Sequence, residues 1–287
     1  MVTDVLATVT ASSFRPLLPV VIAEATGAFE RSGLKLRHES ARSSDDQLQQ
    51  LLGGEIDIAH TALDNVAAWR RHADVRVIAV IDLGVAHELV ARPEISAVAG
   101  LAGKVIGVDS PHNGLVVLLR RLLAEHGLER GGYQLRELGG LEARGRAFAA
   151  GACDACLLAG RSLERARADG NPVLLAVRAH LPRYPALALV AVGPLEGERR
   201  ELLGRYVGVL SQAVTKKDVD VHAVAELLAV TPERANDWLA AERARITGVV
   251  RDSGDARAVI RDALLVTGRI APGDSIDAYL DLLMDGV

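Results

Sequence analysis

The order of elements predicts an α/β protein of two lobes, each a mostly parallel sheet with helices on both faces, joined by a hinge. Three observations predict it. Short apolar strand candidates alternate with helical runs along most of the 287 residues. Polar residues collect just past the carboxyl ends of those strands, as at Ile56-Asp57-Ile58-Ala59 followed by His60-Thr61-Ala62. The pattern also restarts after Leu83, where a new unit begins at Val105-Ile106-Gly107-Val108-Asp109.

Taken in order, Asp4 to Thr10 reads as the first strand and Ala11-Ser12-Ser13-Phe14-Arg15 as a polar loop. Pro16 suits the first turn of a helix that runs to Gly27. Leu34 to Glu39 alternates like a half-exposed strand. Ser44, Asp45 and Asp46 cap a helix that ends at Gly53-Gly54. A strand over Ile56 to Ala59 then turns through His60 into a helix reaching Arg71, and Val75 to Leu83 is apolar enough for a sheet centre.

His87 to Arg92 is a further strand, and the loop Ser110-Pro111-His112-Asn113-Gly114 caps a helix that runs to Gly127. Tyr133 to Leu138 is a strand, Gly139-Gly140 a sharp turn, Glu142 to Ala150 a helix and Cys153 to Leu158 a strand. The chain returns through Val173 to Val177, the turn Pro182 to Pro185 and the strand Ala186 to Val192. From Glu196 onward it reads as helical, with helix starts at Thr231-Pro232 and Ser253-Gly254-Asp255. This order assigns 1–83 plus 187–287 to one lobe and 88–182 to the other, with crossings near 83–88 and 182–187; two crossings make a hinge and a cleft.

Composition excludes several classes. Net charge is −4 with no block of Lys or Arg, so no nucleic-acid footprint is expected. The longest apolar run, Tyr184 to Leu195, falls short of the ~20 residues a membrane span requires. Met1-Val2-Thr3-Asp4 carries an acid where a signal peptide carries Lys or Arg, so the chain reads as cytoplasmic as written; removal of an export signal, giving a periplasmic or surface protein, would read the same. No two histidines stand four apart, and no P-loop, dinucleotide fingerprint or G-x-S-x-G is present, so neither metal nor cofactor is expected. Cys153 and Cys156 form a C-x-x-C in a buried strand, where their side chains should point to opposite faces and share neither a metal nor a disulfide.

Four segments together resemble a known family. Ala23 to Leu34, Leu52 to Ala59, Leu101 to Val108 and Gly127-Leu128 look like the landmarks of the type II periplasmic-binding-protein fold, in the nitrate, sulfonate, taurine and pyrimidine-precursor branch called NMT1/THI5-like. The resemblance spans roughly residues 5–215 and implies a small-molecule ligand in an interlobe cleft, with an ABC permease as partner if the protein is exported. The same fold hosts enzymes, among them decarboxylase-like proteins and a pyrimidine synthase, whose cysteine-rich motif this sequence lacks.

In such clefts the ligand meets loops at strand carboxyl ends. The expected set is Ser12, Ser13, Phe14 and Arg15, then His60, Thr61, Asp64 and Asn65, then Asp82, with Ser110, His112, Asn113, Gly139, Gly140 and Tyr184 from the second lobe. Arg15 is the expected charge partner of an anionic organic ligand, or else a surface residue near Glu24. Ser110 and Asn113 read equally as helix caps, His60 as a core histidine and Asp57 as a structural brace. Two function classes follow. The first is a solute-binding receptor, with a ligand sensor as a variant; the second is a metal-free lyase-type enzyme, decarboxylase or dehydratase, using His60 or His112 with Asp64 as acid and base.

Overall fold

In a computed structural model, the described residues are 6–70, 72–83, 86–109, 114–180, 185–246 and 249–250, with 261, 264–265, 270–271, 273 and 275–276. The chain divides into two compact units. The first comprises Met1–Leu83, Pro185–Asp262 and Pro272–Val287; the second comprises Gly84–Tyr184 and Ala263–Ala271.

The first unit begins with β1, Ala7–Ser13, followed by α1, Leu18–Ala25. Pro19 occupies the first turn of that helix, where its missing N–H costs no intrahelical bond. Gly27 at φ +63 allows the sharp change of direction into α2, Ala28–Arg31, because only glycine enters that region without strain. β2, Leu34–Ser40, lies parallel to β1. The next helix, α3 at Ser44–Leu52, is capped by Ser43, whose hydroxyl accepts from the Asp46 N–H; the expected cap at Ser44 is therefore one residue late.

β3, Ile58–Thr61, α4, Leu63–Trp69, and β4, Val75–Leu83, complete the amino-terminal part. The chain re-enters this unit as β10, Pro185–Val192, which runs antiparallel to both β3 and β4 and lies between them. Three helices follow: α9, Gly197–Thr215, α10, Val221–Leu228, and α11, Pro232–Arg245, the last capped by Thr231 as its Thr-Pro sequence predicts. A two-residue strand, β11 at Val249–Val250, pairs with β4, so this stretch is not wholly helical; Ser253-Gly254-Asp255 lies outside the described residues. Strand order is β11-β4-β10-β3-β1-β2.

The second unit has strand order β7-β6-β8-β5-β9. Its strands are β5, Glu88–Ala91, β6, Val105–Val108, β7, Gln134–Glu137, β8, Ala155–Leu158, and β9, Val173–Ala176. Its helices are α5, Gly114–Glu125, α6, Leu141–Ala149, α7, Gly160–Ala168, and the single turn α8, Val177–His180. Helix α7, rich in arginine and bearing no cap residue at Ala159, has no counterpart in the sequence expectation. Both sheets are mixed rather than mostly parallel: β6 is parallel to β7 and β8, while β5 runs antiparallel to β8 and β9.

The first unit's core joins Val9, Ile22, Leu34, Ile58, Leu189 and Tyr206, all fully buried, and each large apolar side chain contributes about 1.5–3 kcal/mol. No helix among the described residues is long and apolar enough to cross a membrane. Cys153 precedes β8 instead of lying in it, so strand alternation does not separate it from Cys156. Both sulfurs converge on Gly107 of β6, lying 2.9 and 3.1 Å from where a Cβ there would sit, which corrects the opposite-face expectation. Both cysteines are free and buried.

Candidate functional site

Within the first unit, β1 and β3 run parallel and their carboxyl ends lie side by side, with Ser13 opposite His60. Both strands extend further than the sequence suggests. Ser12 and Ser13 belong to β1, and His60 and Thr61 to β3, and all four are buried; the expected polar loops at these positions are strand ends. The cause is pairing. Backbone bonding to β2 continues through Ser13, so the polar side chains find their partners inside the unit.

Those partners make one network. Gln47 of α3, itself fully buried, donates from Nε2 to the Ser12 carbonyl at 3.3 Å, to Ser12 Oγ at 3.0 Å and to the His60 carbonyl at 3.3 Å. A single amide thus bridges the ends of β1 and β3 in addition to their backbone pairing. His60 Nε2 lies 3.0 Å from the Tyr206 hydroxyl of α9, and the phenol stacks on Phe29 with ring centroids 5.5 Å apart. Burial holds the His60 imidazole down to about 3, helped by nearby His38, and pushes the Tyr206 phenol up, so both stay neutral. His60 is fully buried, and of its two ring nitrogens Nε2 meets the Tyr206 hydroxyl while Nδ1 has no hydrogen-bond partner among the described residues.

Ser13 Oγ donates to the Arg15 carbonyl at 2.6 Å and is 2.9 Å from His38 Nε2, so the histidine supplies the proton of that second bond. Asn65 donates to Thr61 Oγ1 at 2.8 Å. Phe14 is half exposed at the end of β1. Arg15 pairs with Glu242 of α11 at 3.0 Å, not with Glu24. Asp64 lies on α4 and Asp82 in β4, but their side chains are outside the described set; Ser110, His112, Asn113 and Tyr184 are outside it altogether. The His60–His112 constellation therefore has no described geometry.

In the second unit the carboxyl ends of β6, β7 and β8 lead to Asp109, Gly139 and Ala159. Gly139, at φ +77, and Gly140 form the turn into α6, with Gly140 at the cap position. Arg144, one turn into α6, is 2% exposed and donates from Nε to the Leu157 carbonyl at 2.9 Å and from Nη1 to the Gly139 carbonyl at 3.0 Å. Asp109 Oδ1 lies 3.8 Å from the same Nη1. Burial, and then Arg144, lower the His87 imidazole to about 4. Among the described residues no group of three His, Cys, Asp or Glu side chains could hold a metal.

Gln47, Tyr206 and Arg144 are the residues that sequence reasoning missed. Each lies within a helix, away from the strand ends where the expectation looked. The available signal was a long polar side chain on the apolar stripe of a helix, as Gln47 beside the buried Leu48 and Leu51.

Residues 16–221 match the family model described as NMT1/THI5 like. No curated protein matches the chain. Among solved structures, the alkanesulfonate-binding protein SsuA from Xanthomonas axonopodis pv. citri bound to MOPS aligns at TM-score 0.71 and 19% identity, covering 96% of this chain and 98% of that one. The periplasmic aliphatic sulphonate binding protein SsuA from Escherichia coli aligns at TM-score 0.71 and 17% identity over 93% of this chain and 94% of that one. A DszB variant in complex with biphenyl-2-sulfinic acid aligns at TM-score 0.67 and 17% identity, with 96% and 97% covered. At these identities the likeness is one of fold.

Proposed function

The chain belongs to the NMT1/THI5-like family, and from that premise we propose that it is the substrate-binding component of an ABC import system, exported and presenting a small organic anion to a permease. The observation that carries this reading is the Gln47 clamp. It fixes the polar ends of two parallel strands, as recognition by preformed hydrogen-bonding groups requires. His60, fully buried and neutral, is the anchor of that rim. Ser12, Ser13, Thr61 and Asn65 belong to the same assembly, with Phe14 offering an apolar surface at its edge.

The ligands seen with two of the structural relatives, MOPS and biphenyl-2-sulfinic acid, set the first probes: organic sulfonates and sulfinates, with carboxylates beside them. Purified protein is heated with each probe, and every compound that raises the melting temperature is recovered and weighed by mass spectrometry. A binding protein gains about 2.7 kcal/mol at a ligand concentration 100 times its Kd and returns the compound unchanged. Recovery of an altered compound would overturn the receptor reading.

A further inference from the structure

Arg144 is a cation that the fold places where a cation is least welcome. Side chains on a helix lean toward its amino terminus, and Arg144 follows that rule, folding back along α6 to reach the Gly139 carbonyl just ahead of Gly140 at the cap. The amino end of a helix carries roughly half a positive charge, so a guanidinium there adds like to like. Gly140 supplies no side-chain cap, leaving the first-turn amides of α6 without one. A Cβ built on Gly140 would meet nothing within 4 Å among the described residues.

Compensation from within the unit is partial. Nε and Nη1 are spent on two main-chain carbonyls, and Nη2 has no partner among the described residues. The Asp109 carboxylate stands 3.8 Å from Nη1, longer than a hydrogen bond. His87 adds no charge near neutral pH, and it is no counter-ion. A guanidinium 2% exposed, hydrogen-bonded to two neutral carbonyls and facing a single carboxylate 3.8 Å away, keeps donor capacity for an anion.

Resting on the receptor reading, we propose that the second unit binds the oxoanion of the ligand over Gly140, between Nη2 of Arg144 and the first-turn amides of α6. Arg15 belongs to the other unit, where it pairs with Glu242. Asp109 sets the class. Its carboxylate beside the guanidinium repels a second negative charge, so singly charged groups such as sulfonate or carboxylate are accepted and dianions such as sulfate are rejected.

Isothermal titration of the full chain with butanesulfonate, butanesulfonamide and inorganic sulfate tests this. Arg144→Gln should weaken butanesulfonate about 10- to 100-fold, the range of one charge-assisted contact, and leave the neutral sulfonamide within twofold. Arg15→Gln should change neither, and Asp109→Asn should admit sulfate. Because Arg144→Gln also removes the bond to Leu157, a second readout uses the unaltered protein: the Arg144 Nε–Hε signal in an NMR titration with butanesulfonate should shift, and that of Arg15 should not. Binding undiminished in Arg144→Gln, or an unmoved Arg144 signal in a protein that binds the sulfonate, overturns the proposal and leaves the receptor reading standing. If no sulfonate or carboxylate binds the unaltered protein, both fall.

Discussion

Gln47 and His60 show how uncharged polar groups set a site from behind. Replacing Gln47 by Leu keeps the volume but removes a donor from two carbonyls and a hydroxyl in the core, at about 1–3 kcal/mol, and leaves the ends of β1 and β3 held by their backbone pairing alone. The expected outcome is a lower urea midpoint together with weaker ligand binding, since the clamp serves both. His60 gives a pH signature. An unfolded chain protonates this imidazole near pH 6.5, whereas the folded protein resists until about pH 3, so its folded value is the depressed one. Stability from the neutral ring is full above pH 6.5 and declines by about 1.4 kcal/mol per pH unit below it. Urea midpoints measured from pH 7 to pH 5 should fall in the parent protein and fall less in His60→Gln; equal slopes would show that the ring is not the source.

The same device enters a strand in each unit. Asp57, just before β3, accepts the Thr10 N–H at 2.8 Å while its own N–H reaches the Thr10 carbonyl at 2.8 Å. Asp154, just before β8, does the same to Val105, at 2.8 and 2.9 Å. Both stand three residues after a glycine at positive φ, Gly54 and Gly151, so Gly-x-x-Asp is a repeat visible in the sequence. Asp57→Ala should cost about 1–3 kcal/mol and expose β1 and β3 to hydrogen exchange, and Asp154→Ala should do so for β6 and β8. Gly107 is a tighter point: a methyl there would sit 2.6 Å from Leu138 Cδ1 as well as against both sulfurs. Gly107→Ala should cost about 1–3 kcal/mol, and adding Cys156→Ala should return part of it, a coupling read from a double-mutant cycle.

These elements also show what was legible. Alternation located β4 to the residue and β2 nearly so, because a continuous apolar run and a period of two are direct consequences of burial. It placed β1 and β3 too early, since Ser12, Ser13, His60 and Thr61 look like loop residues until Gln47 and Tyr206 are known to satisfy them. The opposite-face reading of the cysteines failed because Cys153 lies ahead of β8, outside the strand whose period of two it assumed. Helix α7 was hidden by its polarity, and the family landmarks, being backbone signatures of glycine and apolar residues, carried the fold but were silent on Arg144.

Connectivity decides how the whole molecule must fold. β4 ends at Leu83 and β3 at Thr61, yet neither touches the other in the sheet; β10, more than 100 residues further on, lies between them. Leu189, fully buried, pairs with His60 on one side and Ala79 on the other. The first unit therefore cannot close its sheet until the chain has passed through the second, whose strands come from one contiguous stretch. Closing longer loops costs more chain entropy and slows folding, so the second unit should form first. Pulsed hydrogen exchange during refolding, read by mass spectrometry, should find the amides of β6 and β8 protected before those of β3, β4 and β10, and the last three together. Leu189→Ala, which should cost about 2–5 kcal/mol, should delay or abolish protection in β3 and β4 while β6 and β8 protect at their usual rate. Protection of β4 before β10 would mean that the first unit has a stable half-sheet of its own and that the returning strand is an addition instead of the keystone.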